Sequence, residues 1–217
     1  MTSHHVHRRL PAALLVALAA FATPSFAAEP ARTMSASVPA PSSGANTHVH
    51  GQGAALDVRF AYDPDQQALR VDYKLRNVGT AALAVFDRGD RHAVASGRQK
   101  VGAIVPPAWR DQAGDVTLSH LALPLADPAP TAPVRSLALK LAPGVESSGR
   151  FAFAVPGLQA PRRLRWCLGV AAFADTDFDT PERVGALEIW RASYAVSERQ
   201  QMLCTPWFDV ARGAFEA

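Results

Sequence analysis

Between residues 175 and 182 the chain reads Asp-Thr-Asp-Phe-Asp-Thr-Pro-Glu, which sets Asp175, Asp177, Asp179 and Glu182 in one short segment. Carboxylates at alternate positions can converge on a hard cation, and calcium takes several oxygen ligands from a single loop. The spacing begins like an EF-hand loop, but Thr180 stands where that loop needs its glycine and Ala186 where it needs its bidentate glutamate, so that family is excluded. What remains is either a looser calcium site or a solvated loop whose aspartates bond their own backbone. His48 and His50, in Thr47-His48-Val49-His50, fall on one side of an extended segment and could chelate zinc or copper. Two ligands alone make no tight site. His92 and His120 have no ligand spacing.

Arg88-Gly89-Asp90 spells a cell-adhesion tripeptide, although glycine between charged residues is also what a strand-to-loop turn uses. Arg162, Arg163 and Arg165 surround Trp166 and could meet an anion, with strand alternation placing Arg163 and Arg165 on an outer, solvated face. For catalysis the sequence offers no G-x-S-x-G elbow, no H-E-x-x-H, no phosphate-binding loop and no dinucleotide fingerprint. His120 could serve as a general base, but no nucleophile is tied to it by spacing.

These residues need elements to position them. Leu56, Val58, Phe60 and Tyr62 alternate with polar or small residues, and after the turn Asp63-Pro64-Asp65 the residues Leu69, Val71, Tyr73 and Leu75 alternate with Arg70, Asp72, Lys74 and Arg76. Period two over two such runs predicts a hairpin with one buried face. Further strands are predicted over 81–86, 101–105, 116–123, 134–141, 151–155 and 164–170 and at Leu187 and Ile189, with a short helical turn over 197–203. No 3.6-residue period of useful length occurs. Short strands separated by turns imply an antiparallel β-sandwich.

Residues 69–86 (LRVDYKLRNVGTAALAVF) and 139–157 (LKLAPGVESSGRFAFAVPG) carry an N-x-G turn after the second strand and an L-x-P-G turn before a later one. In both features the chain resembles bacterial exported immunoglobulin-like domains, and more weakly the bacterial intracellular proteinase-inhibitor family, another small β-sandwich. The resemblance implies a fold and leaves function open.

The N-terminus defines the compartment. His4, His5, His7, Arg8 and Arg9 precede an apolar run over 12–22, and Ser25-Phe26-Ala27 supplies the small residues of a cleavage site, so residues 1–27 read as a secretory signal peptide. Residues 28–53, rich in Ala, Pro, Ser and Gly and without an aromatic, read as a flexible linker, and 54–217 as the β-sandwich domain. Losing Arg8 and Arg9 leaves 20 basic residues against 19 acidic ones, too even a balance for a nucleic-acid partner. Cys167 and Cys204 are the two cysteines, and outside the cytoplasm they are expected to pair. The reading is of a periplasmic or secreted binding module without catalysis, engaging an envelope protein or a small ligand. It has no cofactor beyond a calcium ion and no transmembrane segment after the leader. A metal-binding protein and an exported protease inhibitor are the alternatives.

Overall fold

The computed structural model describes residues 44–157 and 159–217. The expected signal peptide and residues 28–43 of the expected linker lie outside the described residues. In chain order the strands are β1 (Ala45–Gly51), β2 (Ala54–Asp63), β3 (Ala68–Asn77), β4 (Leu83–Val85), β5 (Ala108–Gln112), β6 (Asp115–His120) and β7 (Leu137–Leu141). They continue as β8 (Glu146–Ala154), β9 (Arg163–Ala172), β10 (Glu182–Val184), β11 (Leu187–Arg191), β12 (Gln201–Cys204), β13 (Phe208–Asp209) and β14 (Ala214–Phe215). Two short helices, α1 (Arg91–Ala95) and α2 (Val196–Arg199), and a 3-10 turn at Asp175–Asp177 lie between them.

The chain is an all-β, two-sheet sandwich, as the alternation implied. One sheet runs β1-β2-β3-β8. The other runs β10-β11-β7-β4-β9, and β9 also takes β6 and then β5 below β4 on one edge, with β12 and β13 on the other. Among the described ladders the β6–β9 pair alone is parallel, and the expectation of a wholly antiparallel sandwich is corrected there. The excursion through β7 and β8 supplies the long crossover that parallel pairing needs.

The period-two residues do what their spacing demands. Leu56, Val58, Phe60, Leu69, Val71, Leu75, Leu164, Trp166 and Leu168 all point into the space between the sheets and are at most 3% exposed. Where β9 passes under β4 and β12, however, both of its faces are buried from Trp166 to Ala171. Small residues on the outer face, Ala84, Ala138 and Ala171, form the floor of a second apolar cluster covered by Phe86, Phe178 and Val196. Neighbouring Phe173 and Phe178 stack with ring centroids 4.4 Å apart.

Two expectations are corrected. Residues 45–51 are not linker: β1 pairs with β2 from Ala45↔Phe60 to Gly51↔Ala54, so the folded unit starts before residue 54. An edge strand is held by backbone bonds on one side and buries only half of each turn of side chains, here Val49 and Ala45 against the core, so its composition carries little signal. The predicted strand over 101–105 is instead irregular chain that presses Val101 and Ile104 on the core without pairing.

The two turns behind the resemblance meet in space. Asn77 is fully buried; its Nδ2 donates to Ala81 O and Leu141 O, each at 2.9 Å, and its Oδ1 accepts from Gly79 N at 3.0 Å. Gly144, in the left-handed region at φ 74°, donates back to Asn77 O at 2.9 Å. Cys167 and Cys204 form the expected disulfide, facing each other across the β9–β12 ladder with Cα atoms 3.9 Å apart. With a sequence separation of 37 the bond stabilises the fold by about 4 kcal/mol in the chain-entropy view.

Candidate functional site

The acidic loop does not gather its carboxylates. Asp175 Oδ1 lies 3.9 Å from Lys140 Nζ, Asp177 Oδ1 accepts from Arg199 Nη2 at 2.6 Å, and Asp179 Oδ2 accepts from Arg191 Nε at 2.5 Å with Arg135 at 3.6 Å. Glu182 is 3.5 Å from Arg91 Nη1. The cations come from β7 and the segment before it, α2, β11 and α1, none within the loop itself; Arg183, the near neighbour, turns to Glu188 at 3.1 Å. Among the described residues no three His, Cys, Asp or Glu side chains are grouped to hold a metal ion. Asp175, Asp177, Asp179 and Glu182, read from the sequence as calcium ligands, thus each face a basic side chain instead of one shared point.

His48 and His50 do share the exposed face of β1, as the spacing implied. His48 Nδ1 is engaged by Asp57 Oδ1 at 2.5 Å, whereas His50 stands opposite Ala55. The pair belongs to no such metal-holding group.

Arg88-Gly89-Asp90 is turn chemistry throughout. Gly89 takes φ 68°, Asp90 caps α1 by accepting from Ala93 N at 2.8 Å, and Arg88 is only 5% exposed. Arg88 Nε lies 3.0 Å from Asp87 Oδ1 without hydrogen-bond alignment, and its Nη1 donates to Gly102 O at 2.9 Å. Asp87 Oδ2 in turn accepts from the Tyr73 hydroxyl at 2.5 Å. Burial, and then the charge of Asp87, push that hydroxyl far above the ordinary tyrosine range. Tyr73 lies across Gly149 of β8, where a Cβ would overlap its ring.

His120 belongs to the same interior. Trp166 Nε1 donates to its Nδ1 at 3.0 Å, which leaves the proton on Nε2 to donate to Val105 O at 2.8 Å. Burial pushes its pKa below the ordinary 6.5, so the ring is held neutral. Both nitrogens are spent and the residue is 3% exposed, so no general base reaches solvent here. The sequence reading missed Asp87 and Arg88 as a core ion pair, since charged neighbours at a strand end look like surface.

Arg162, Arg163 and Arg165 divide their work. Arg162 and Arg163 both grip Asp115, and Arg163 also reaches Glu216 at 3.3 Å. Arg163 and Arg165 stack on Trp207, 4.9 and 4.4 Å from its ring centre.

A feature that spacing could not reveal lies at the end of the sandwich. The last turn of β2, the loop leading into β9 and the β13–β14 hairpin enclose an open cavity of about 790 Å³. Phe60, Phe208, Val210 and Pro161 give it apolar walls, and Phe208 packs edge-on against Phe60 and Phe215, which are themselves tilted on each other, with centroids 5.0–5.6 Å apart. Tyr62 also lines it; the residue is 8% exposed, and its buried hydroxyl has no hydrogen-bond partner. Burial, with Asp63 beside it, raises the pKa of that hydroxyl, so it is a neutral donor. Arg212 also lines the cavity, its backbone N donating to Asp209 Oδ1 at 2.9 Å, and among the described residues its guanidinium forms no salt bridge. A concave, largely apolar site with a few polar groups, here Tyr62, Arg162, Asp209 and Arg212, is the usual form of a small-molecule site. Comparison with family models, with curated proteins and with solved structures finds no match for this chain.

Proposed function

We propose that the chain is an exported binding module of immunoglobulin-like architecture, working on the periplasmic or outer side of a membrane, that takes a small ligand in the cavity beside Tyr62 and catalyses no reaction. The observation that carries this reading is the unpartnered buried hydroxyl of Tyr62, a residue that lines this largely apolar cavity. A buried donor without an acceptor is destabilising by about 1–3 kcal/mol, and a ligand that brings an acceptor recovers that loss on binding. The ligand class is therefore a neutral or weakly polar molecule with an aromatic or aliphatic body and one carbonyl or ether oxygen. The location at a sandwich end, framed by loops and a hairpin, agrees with where such folds present variable contacts. The spent nitrogens of His120 favour binding over catalysis.

Nile red, neutral and carrying a carbonyl, is a suitable probe. Its emission should shift blue and saturate at one site per chain. Ala211→Trp, at the exposed mouth, should abolish the signal, and Tyr62→Phe should weaken affinity by roughly three- to tenfold, the worth of one neutral hydrogen bond. An emission change that is absent, or identical in the Ala211→Trp variant, removes the cavity from consideration.

A further inference from the structure

The outer face of the lower half of the second sheet carries a row of side chains that the cavity does not use. Register places Arg110 of β5 beside Thr117 of β6, and Thr117 beside Arg165 of β9, so the three form one rung across three strands. Adjacent strands are about 4.8 Å apart, which sets the two arginine Cα atoms about 10 Å from each other with a hydroxyl between them. The next rung adds Ser119 next to Ala108, and the preceding one Gln112. Together they line a shallow pocket of about 280 Å³ that contains two guanidinium groups, two hydroxyls and an amide, and no carboxylate.

The charges in this pocket are uncompensated. Asp115, one rung away, is already held by Arg162 and Arg163, which lower its pKa far below the ordinary carboxylate range. Asp111 alternates to the opposite side of β5 from Arg110 and accepts from Gly114 N at 2.8 Å. Among the described residues neither Arg110 nor Arg165 forms an ion pair. Arg165 is nonetheless fixed in place: its Nε donates to Thr117 Oγ1 at 3.0 Å and its guanidinium plane rests 4.4 Å from the Trp207 ring centre. Arg165 lines the pocket, and among the described residues its Nη donors have no hydrogen-bond partner. A guanidinium fork fixed in this way loses little freedom on binding and matches the oxygen spacing of a tetrahedral oxyanion.

We propose that this rung is a binding site for a phosphoryl oxyanion, held between Arg110 and Arg165 with Thr117 and Ser119 beside it. The group comes either as free inorganic phosphate or as the phosphomonoester headgroup of a lipid. The site is on a different face from the Tyr62 cavity and stands independently of what that cavity binds.

The test is a titration of the folded chain with inorganic phosphate at low ionic strength, followed by backbone NMR shifts, and a parallel sedimentation assay with phosphatidylcholine vesicles with and without phosphatidic acid. Saturable phosphate shifts centred on residues 110, 117, 119 and 165, or sedimentation that needs phosphatidic acid, support the site, and the arm that responds identifies the source. Arg110→Gln should weaken the responding arm at least fivefold. Because Arg110 is exposed and unpaired, this change leaves the fold intact, so the outcome does not depend on the Arg165→Gln variant remaining folded. Arg70→Gln, an equal charge change on the opposite sheet, should have no effect. Absence of saturable binding in both arms, or binding that falls equally in Arg110→Gln and Arg70→Gln, overturns the proposal.

Discussion

Two tyrosines on adjacent strands carry opposite hydrogen-bond accounts. The Tyr73 hydroxyl donates to buried Asp87, so Tyr73→Phe leaves a carboxylate oxygen without its donor and should destabilise the fold by about 1–3 kcal/mol. The Tyr62 hydroxyl has no partner, so Tyr62→Phe should be neutral or stabilising by up to about 1 kcal/mol. Urea midpoints at constant m-value would separate the two, and equal shifts would contradict both assignments. His120 makes a third prediction at this scale. Its folded pKa lies below the 6.5 of the free imidazole, so the unfolded chain binds the proton first. Stability is full above pH 6.5 and falls as the pH is lowered through the window between that value and the depressed folded one. Denaturation midpoints from pH 8 to 5 should show this slope, and His120→Gln should remove this residue's share.

At the scale of elements, the hairpin β2–β3 was the most legible part, because one face is core and the other solvent over ten residues each. Legibility fades wherever that asymmetry fades. β1 is an edge with polar side chains, β4 and the upper part of β9 are buried on both faces, and α1 is a single turn whose start at Asp90 and stop at Gly97 are visible only as a cap and a left-handed glycine. The candidate sites were less legible still. Loop 175–182 looked like a cation site because its neutralising partners, Lys140, Arg199, Arg191, Arg135 and Arg91, are separated from it in sequence and joined only by the fold. The Tyr62 cavity is formed by three segments that no spacing rule connects. The loop gives a fourth prediction. Asp177→Asn loses the contact with Arg199 and should lower stability only slightly, and millimolar calcium should leave the melting temperature of both forms unchanged. A calcium-dependent rise in the unmutated protein would restore the metal reading.

For the molecule as a whole, no described helix is long and apolar enough to cross a membrane. Under the proposed export, protein recovered from the envelope should begin near Ala28 by mass spectrometry, and Leu15→Arg should hold the full-length chain in the cytoplasm. An intact Met1 on envelope protein would contradict the leader. One side of the sandwich is shut by Gln201, whose amide donates to Gln52 O at 2.7 Å and accepts from Gln52 N at 2.8 Å, joining β12 to the turn after β1. The hub of the second sheet is β9, which pairs with β4 and β6 from earlier in the chain and with β12 and β13 from later. One of its edges stays bare until residues 201–209 exist. A nascent chain thus cannot complete its larger sheet before residues 201–209 have been made, so under the proposed export the earlier strands would meet a translocation pore while that sheet is still unfinished.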